Sequence, residues 1–136
     1  MGCKMKKPII INENISNGII IGEYQGIVTN TDTIDFRNYS HIDNWNNCIN
    51  ELGKIYRKVS LIDGIRIKKE FRGMGYGKKL IDIMISKSKG LGSEAIILIV
   101  DVLEQNTFDL VDWYEKKGFN LYYGKGQVLP IMIKEL

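Results

Sequence analysis

The sequence predicts an α/β fold, a mixed central sheet with helices on both faces, in one domain over residues 1–136. Three observations lead there. Ala95–Val100 is an unbroken apolar run, as expected of a central strand covered on both faces. Before it, Ile55–Ile67 alternates apolar and polar residues and leads through a glycine-rich segment into an amphipathic helix. The order strand, glycine loop, helix, strand, helix, strand, strand then needs two crossovers, which imply parallel neighbours in the middle of the sheet.

Taken in order, Pro8-Ile9-Ile10-Ile11 and Gly18-Ile19-Ile20-Ile21 are β-branched runs flanking the polar turn Asn12–Asn17, a hairpin pattern that Gly26-Ile27-Val28-Thr29 extends. Asn30–Ser40 is polar and loop-like. Ile42, Trp45, Ile49 and Leu52 follow helical spacing, predicting an amphipathic helix over Ile42–Lys54 whose stripe is core packing. In Ile55–Ile67, Leu61, Ile65 and Ile67 share a face, with a bulge or turn near Gly64. The helix from Gly75 to Lys89 carries Tyr76, Leu80, Ile81, Met84 and Ile85 on one stripe, and Gly90 and Gly92 stop it. Asn106 or Thr107 caps a helix over Thr107–Lys117, ended by Gly118. Phe119–Tyr123 and Val128–Lys134 are strands around Gly124-Lys125-Gly126, and Pro130 puts the last at an edge or splayed from its neighbour.

Composition narrows the function classes. Hydrophobic residues at 44% and charged residues at 26% are ordinary for a water-soluble domain. A net charge of +3 suits an anionic ligand without choosing one. No apolar run reaches membrane-spanning length, and the lysine-rich start lacks a long apolar segment, so a cytoplasmic location is expected. Cys3 and Cys48 stand in no CxxC spacing and read as two free thiols. His41 is the only histidine, which leaves a histidine triad or a multi-histidine metal site without residues. No metal is expected.

The informative stretch runs from Ile65 to Lys78, with Gly73, Gly75 and Gly77 between a strand and the first turn of a helix. Glycine lets backbone approach a ligand, and the first N–H groups of a helix lack internal partners. Together they make a main-chain phosphate site, assisted by Arg72 and Lys78. A Walker loop would need Ser or Thr where Lys79 stands. A dinucleotide fingerprint would need glycine where Lys78 stands. Arg-x-x-Gly-x-Gly fits Arg72, Gly75 and Gly77 without adjustment.

Arg72–Gly77 resembles the pyrophosphate-binding motif of the Gcn5-related N-acetyltransferase (GNAT) superfamily. Ile67-Lys68-Lys69-Glu70-Phe71 resembles the strand end before it, with Lys69 in place of the common proline. Asn106 followed by Trp113-Tyr114-Glu115-Lys116-Lys117-Gly118-Phe119 resembles the second signature, and Ile131–Leu136 the closing strand. The resemblance covers about residues 55–136.

It implies acetyl-CoA as cofactor, lying between two splayed parallel strands, Leu61–Ile67 and Ala95–Val102. Main-chain groups of Ile65, Arg66 and Ile67 would meet the pantetheine arm. Those of Gly73, Met74, Gly75, Tyr76, Gly77 and Lys78 would meet the pyrophosphate, and Asn106 the pantetheine region. An amine would attack the thioester directly, with Tyr114 as the acid for the departing thiolate. Asp101, ending the central strand, and Asp63, on the preceding one, compete for the role of base, with water or no dedicated base as the alternative. The family's first strand is usually followed by two helices that roof the acceptor site. Here Ile11–Gly18 has no room for them, and one helical segment appears at Ile42–Lys54.

The partner expected is an amine, on a small molecule or a protein, with no membrane and with a homodimer left open. Two other functions stay open: a CoA-binding module without catalysis, and a toxin or modifier acting on nucleic acid or charged tRNA. The last would want a clustered basic surface with aromatics, whereas Lys4, Lys6, Lys7, Lys68 and Lys69 form only short clusters.

Overall fold

The computed structural model describes residues 8–34, 42, 44–100, 110–124 and 129–136. Strands β1 (Ile9–Ser16) and β2 (Ile20–Asn30) form an antiparallel hairpin. Its turn is shorter than the predicted Asn12–Asn17. β1 continues through those residues, with Ile11 buried and Asn12 and Asn14 exposed. The polar residues are the outward half of a strand's alternation, which a turn pattern resembles. The reversal lies at residues 17–19, where the Asn17 N–H donates to the Ile19 carbonyl at 3.0 Å.

Helix α1 (Trp45–Gly53) starts after Ile42 because Asn44 sits at φ 59°, outside helical space. Ile42 is buried all the same, and its carbonyl accepts the Trp45 N–H at 3.2 Å. Strand β3 (Lys58–Ile67) is antiparallel to β2 and parallel to β4 (Ala95–Ile99), with α2 (Tyr76–Gly90) as the crossover between them. Helix α3 (Leu110–Lys116) leads to β5 (Asn120–Tyr123) and β6 (Ile131–Glu135).

The strand order is β1-β2-β3-β4-β6-β5. β6 is therefore interior and β5 holds the edge, contrary to the placement drawn from Pro130. The proline precedes β6, where its missing N–H costs no ladder bond, and its carbonyl accepts the Val100 N–H at 3.0 Å.

Alternation along the central strands divides the core in two. Val59, Leu61, Ala95, Ile97, Ile131 and Ile133 face α1, meeting Trp45, Ile49 and Leu52. Ile62, Ile96, Leu98 and Met132 face α2 and α3, meeting Leu80, Ile81, Met84, Tyr114 and Phe119. Each large aliphatic chain buried here contributes about 1.5–3 kcal/mol of transfer free energy. Polar groups close the end of the sheet where β3 and β4 begin. The Glu94 carboxylate accepts the N–H groups of Arg57 (2.6 Å) and Lys58 (3.1 Å), which hold its pKa below the usual carboxylate value. Ser60 donates to Ser88 at 2.7 Å and shares a 2.8 Å hydrogen bond with Ser93, tying β3 to the end of α2.

Candidate functional site

The site begins with an irregularity in β3. Gly26 stands opposite Ile62 and Tyr24 opposite Ile65, so Gln25 alone faces two β3 residues, Asp63 and Gly64. That is a β-bulge, and Gly64 takes φ 113°, a conformation natural to glycine. The extra residue slips the strand's phase. Leu61 therefore joins the α1 core while Ile65 and Ile67 pack against the α2 core, not all three on one face as predicted.

The bulge also parts the two parallel strands. β3 pairs with β4 only from Val59–Ala95 to Ile62–Leu98, and then runs five residues further to Ile67. A β-carbon on Gly64 would still stand 3.5 Å from the Ile99 carbonyl oxygen, so the strands remain adjacent there after their pairing has ended at Ile62–Leu98.

Tyr114 of α3 reaches β3 beyond that pairing. Its ring is 2% exposed and packs edge-on against Trp113 and Phe119, with centroids 5.1 and 5.8 Å away. Its hydroxyl oxygen accepts the Ile65 N–H at 3.1 Å. β3 has lost its β4 neighbour by this residue, so the amide has a side chain for its partner. Burial pushes the phenol up to about 12, while the Ile65 N–H pulls the other way. Tyr114 thus holds its proton throughout the neutral range.

Past the end of β3, two hydrogen bonds and a 3₁₀ turn lead the chain into α2. The Lys68 N–H meets the Ile21 carbonyl at 2.8 Å, residues Lys69–Phe71 make a 3₁₀ turn, and Arg72 Nε donates to the Ile67 carbonyl at 3.0 Å. Gly73 and Gly75 take φ 79° and 86°, and a β-carbon on either would meet nothing within 4 Å. Gly75 caps α2 with no side-chain hydrogen bond, so the first-turn N–H groups open outward. Arg72 and Lys78 are exposed beside them. Lys78 pairs with Asp82 at 3.3 Å, both largely in solvent, a contact of little energetic weight.

These pieces adjoin. A β-carbon on Gly77 would lie 2.9 Å from the Trp113 ring, so the first turn of α2 packs on α3 beside Tyr114. Of the three residues whose main chain was expected to meet the pantetheine arm, Ile65 already donates to Tyr114 and Ile67 already accepts from Arg72. Arg66 is exposed opposite Glu23 of β2. Asp63 is exposed on the bulge. Asp101 and Asn106 lie outside the described residues, as do Cys3 and His41. Cys48 is buried in α1 and forms no disulfide among the described residues. Among the described residues no group of three His, Cys, Asp or Glu side chains is placed to hold a metal ion, and no helix is long and apolar enough to cross a membrane.

In the sequence Trp113 stands out only as part of a signature, and its contact with Gly77 is not legible there. A glycine 36 positions away, in a helix that would accept alanine, carries no mark of it.

The acetyltransferase (GNAT) family model matches residues 36–119. Comparison with curated proteins finds no match. Among solved structures, an acetyltransferase from Bacillus cereus aligns over 100% of this chain and 80% of its own, at 18% identity and TM-score 0.64. PaiA N-acetyltransferase from Thermoplasma acidophilum, in complex with coenzyme A, aligns over 94% and 62%, at 16% identity and TM-score 0.62. NAA60 from Arabidopsis thaliana, in complex with acetyl-CoA, aligns over 92% and 74%, at 14% identity and TM-score 0.57. At such identities the likeness is one of fold.

Proposed function

The chain belongs to the acetyltransferase (GNAT) family, and on that premise we propose that it moves an acetyl group from acetyl-CoA to a primary amine by direct attack. One observation carries the reading: the Tyr114 hydroxyl sits on the Ile65 N–H where β3 parts from β4, beside the uncapped start of α2. The residues present fit the cofactor. Gly73 and Gly75 leave open space before the α2 N–H groups, as a pyrophosphate seat requires, and Arg72 and Lys78 add charge. When bound, acetyl-CoA supplies an acetyl thioester activated for transfer.

The described side chains divide the remaining work. A phenol pushed to about 12 is a weaker acid than a thiol near ~8.5. Tyr114 therefore serves the departing sulfur mainly as a fixed hydrogen-bond donor that steadies developing charge, and less as an acid that surrenders its proton. The Ile65 amide holds the phenol oxygen, which leaves the O–H to point elsewhere. An incoming amine must lose its proton. Asp63, exposed on the β3 bulge, is one carboxylate for that step and Asp101 the other, with water or no dedicated base as the alternative.

The test offers the purified protein acetyl-CoA with small amines, peptides bearing free N-termini or lysines, and charged tRNA, scored by release of free thiol. One acceptor class is expected to raise the release above the rate without acceptor. Binding of acetyl-CoA with no release for any class would make the chain a CoA-binding module instead.

A further inference from the structure

Gly77 is the one glycine of the 73–75–77 run whose backbone does not call for glycine. Its φ is not positive, and it lies in the first turn of α2, where alanine has the better helix propensity. A side chain from another helix calls for it instead. A β-carbon at Gly77 would stand 2.9 Å from both Cη2 and Cζ2 of Trp113, closer than carbon atoms pack. The indole is itself held in place. It meets the Tyr114 ring edge-on at 5.1 Å, and Lys117 Nζ lies 5.5 Å from its centroid.

We infer that Trp113 is a positioning residue that fixes Tyr114 relative to the first turn of α2, and that Gly77 is glycine in order to admit its ring. This rests on the role given to Tyr114 above. The α2 N–H groups and the Tyr114 hydroxyl would serve opposite ends of the cofactor's pantetheine arm, the pyrophosphate and the thioester. A rigid indole between them sets their separation, and misplacing a reacting group by about 1 Å costs up to roughly a hundredfold in rate. The contact is a matter of shape, so an added methyl on one side is answered by trimming the ring on the other.

A double-mutant cycle reads this directly. Gly77→Ala should raise the melting temperature on backbone grounds. Crowded by Trp113, it is expected to lower it by roughly 5 °C instead. It should also cut kcat roughly ten- to a hundredfold, with a smaller loss of acetyl-CoA affinity. Trp113→Phe removes the two crowding atoms. In that background Gly77→Ala is expected to become neutral or stabilising, and to recover part of the kcat that it costs alone. Equal damage in both backgrounds would mean that Gly77 serves the cofactor directly, and the inference falls. A harmless Gly77→Ala overturns it as well, and so does a reversal in melting temperature with kcat unmoved throughout. A wild-type protein that neither binds acetyl-CoA nor releases thiol would defeat the proposed function, and the melting cycle would still decide whether the contact exists.

Discussion

The Tyr114 hydroxyl makes two demands on its surroundings that pull apart. Burial raises its pKa, which weakens it as an acid, while the Ile65 N–H on its oxygen stabilises the phenolate and restores part of the acidity. Tyr114→Phe removes the donor and keeps the packing against Phe119 and Trp113. Turnover is expected to fall about a hundredfold with little change in KM, the pattern of a contact made in the transition state. Stability should fall too, by about 1–2 kcal/mol, because the Ile65 amide loses its partner. Turnover near that of the wild type would return Tyr114 to a core residue, and a lost affinity for acetyl-CoA would make it a cofactor contact. The tyrosine itself was legible in Trp113–Phe119. Its partner was not, because a backbone amide has no letter and Ile65 is 49 positions away.

At the scale of elements, the glycine-rich entry to α2 was legible because strand, turn and helix each leave a local pattern. The phase slip in β3 was legible only as Gly64, since no periodicity tells which residues change face behind a bulge. β1 went the other way, its outward asparagines imitating a turn. The entry to α2 carries its own prediction. Gly75 sits at φ 86° with open space around it, so Gly75→Glu introduces backbone strain of about 1–2 kcal/mol but no clash. The fold should survive, and a carboxylate then stands before the helix N–H groups. Calorimetry is expected to show acetyl-CoA affinity reduced by at least about tenfold relative to Gly75→Ala, which has the same strain without the charge. Equal affinity in the two folded variants would remove the anion seat from Gly75.

For the whole molecule, the sheet's middle and its crossover helix followed from apolar runs, whereas the order of the last two strands did not. Pro130 spoke for an edge, but the pairing of β6 between β4 and β5 is fixed by long-range contacts. Among the described residues, α1 packs on the β3, β4 and β6 part of its face, where the resemblance implied a roof of two helices. The same burial that makes this core sets its response to alkali. Tyr114 and Tyr24 are both pushed to about 12 by desolvation, and Glu13 adds to the effect on Tyr24. Each binds its proton more tightly folded than unfolded, so its contribution to stability is complete below pH ~10 and is lost as pH rises toward the folded value near 12. The rise for Tyr114 corresponds to about 3 kcal/mol, enough to be seen in the alkaline limb. Denaturant unfolding from pH 8 to 12 should show stability level at first and falling between pH 10 and 12. Tyr24→Phe is the better probe of the cause, because the Tyr24 hydroxyl is buried with no hydrogen-bond partner among the described residues. Removing it strands nothing, so the variant is expected to gain about 1 kcal/mol at neutral pH and to fall less steeply in alkali. A wild-type limb that stays level to pH 12, or a Tyr24→Phe limb parallel to it, would mean that these phenols are not titrating against the folded core.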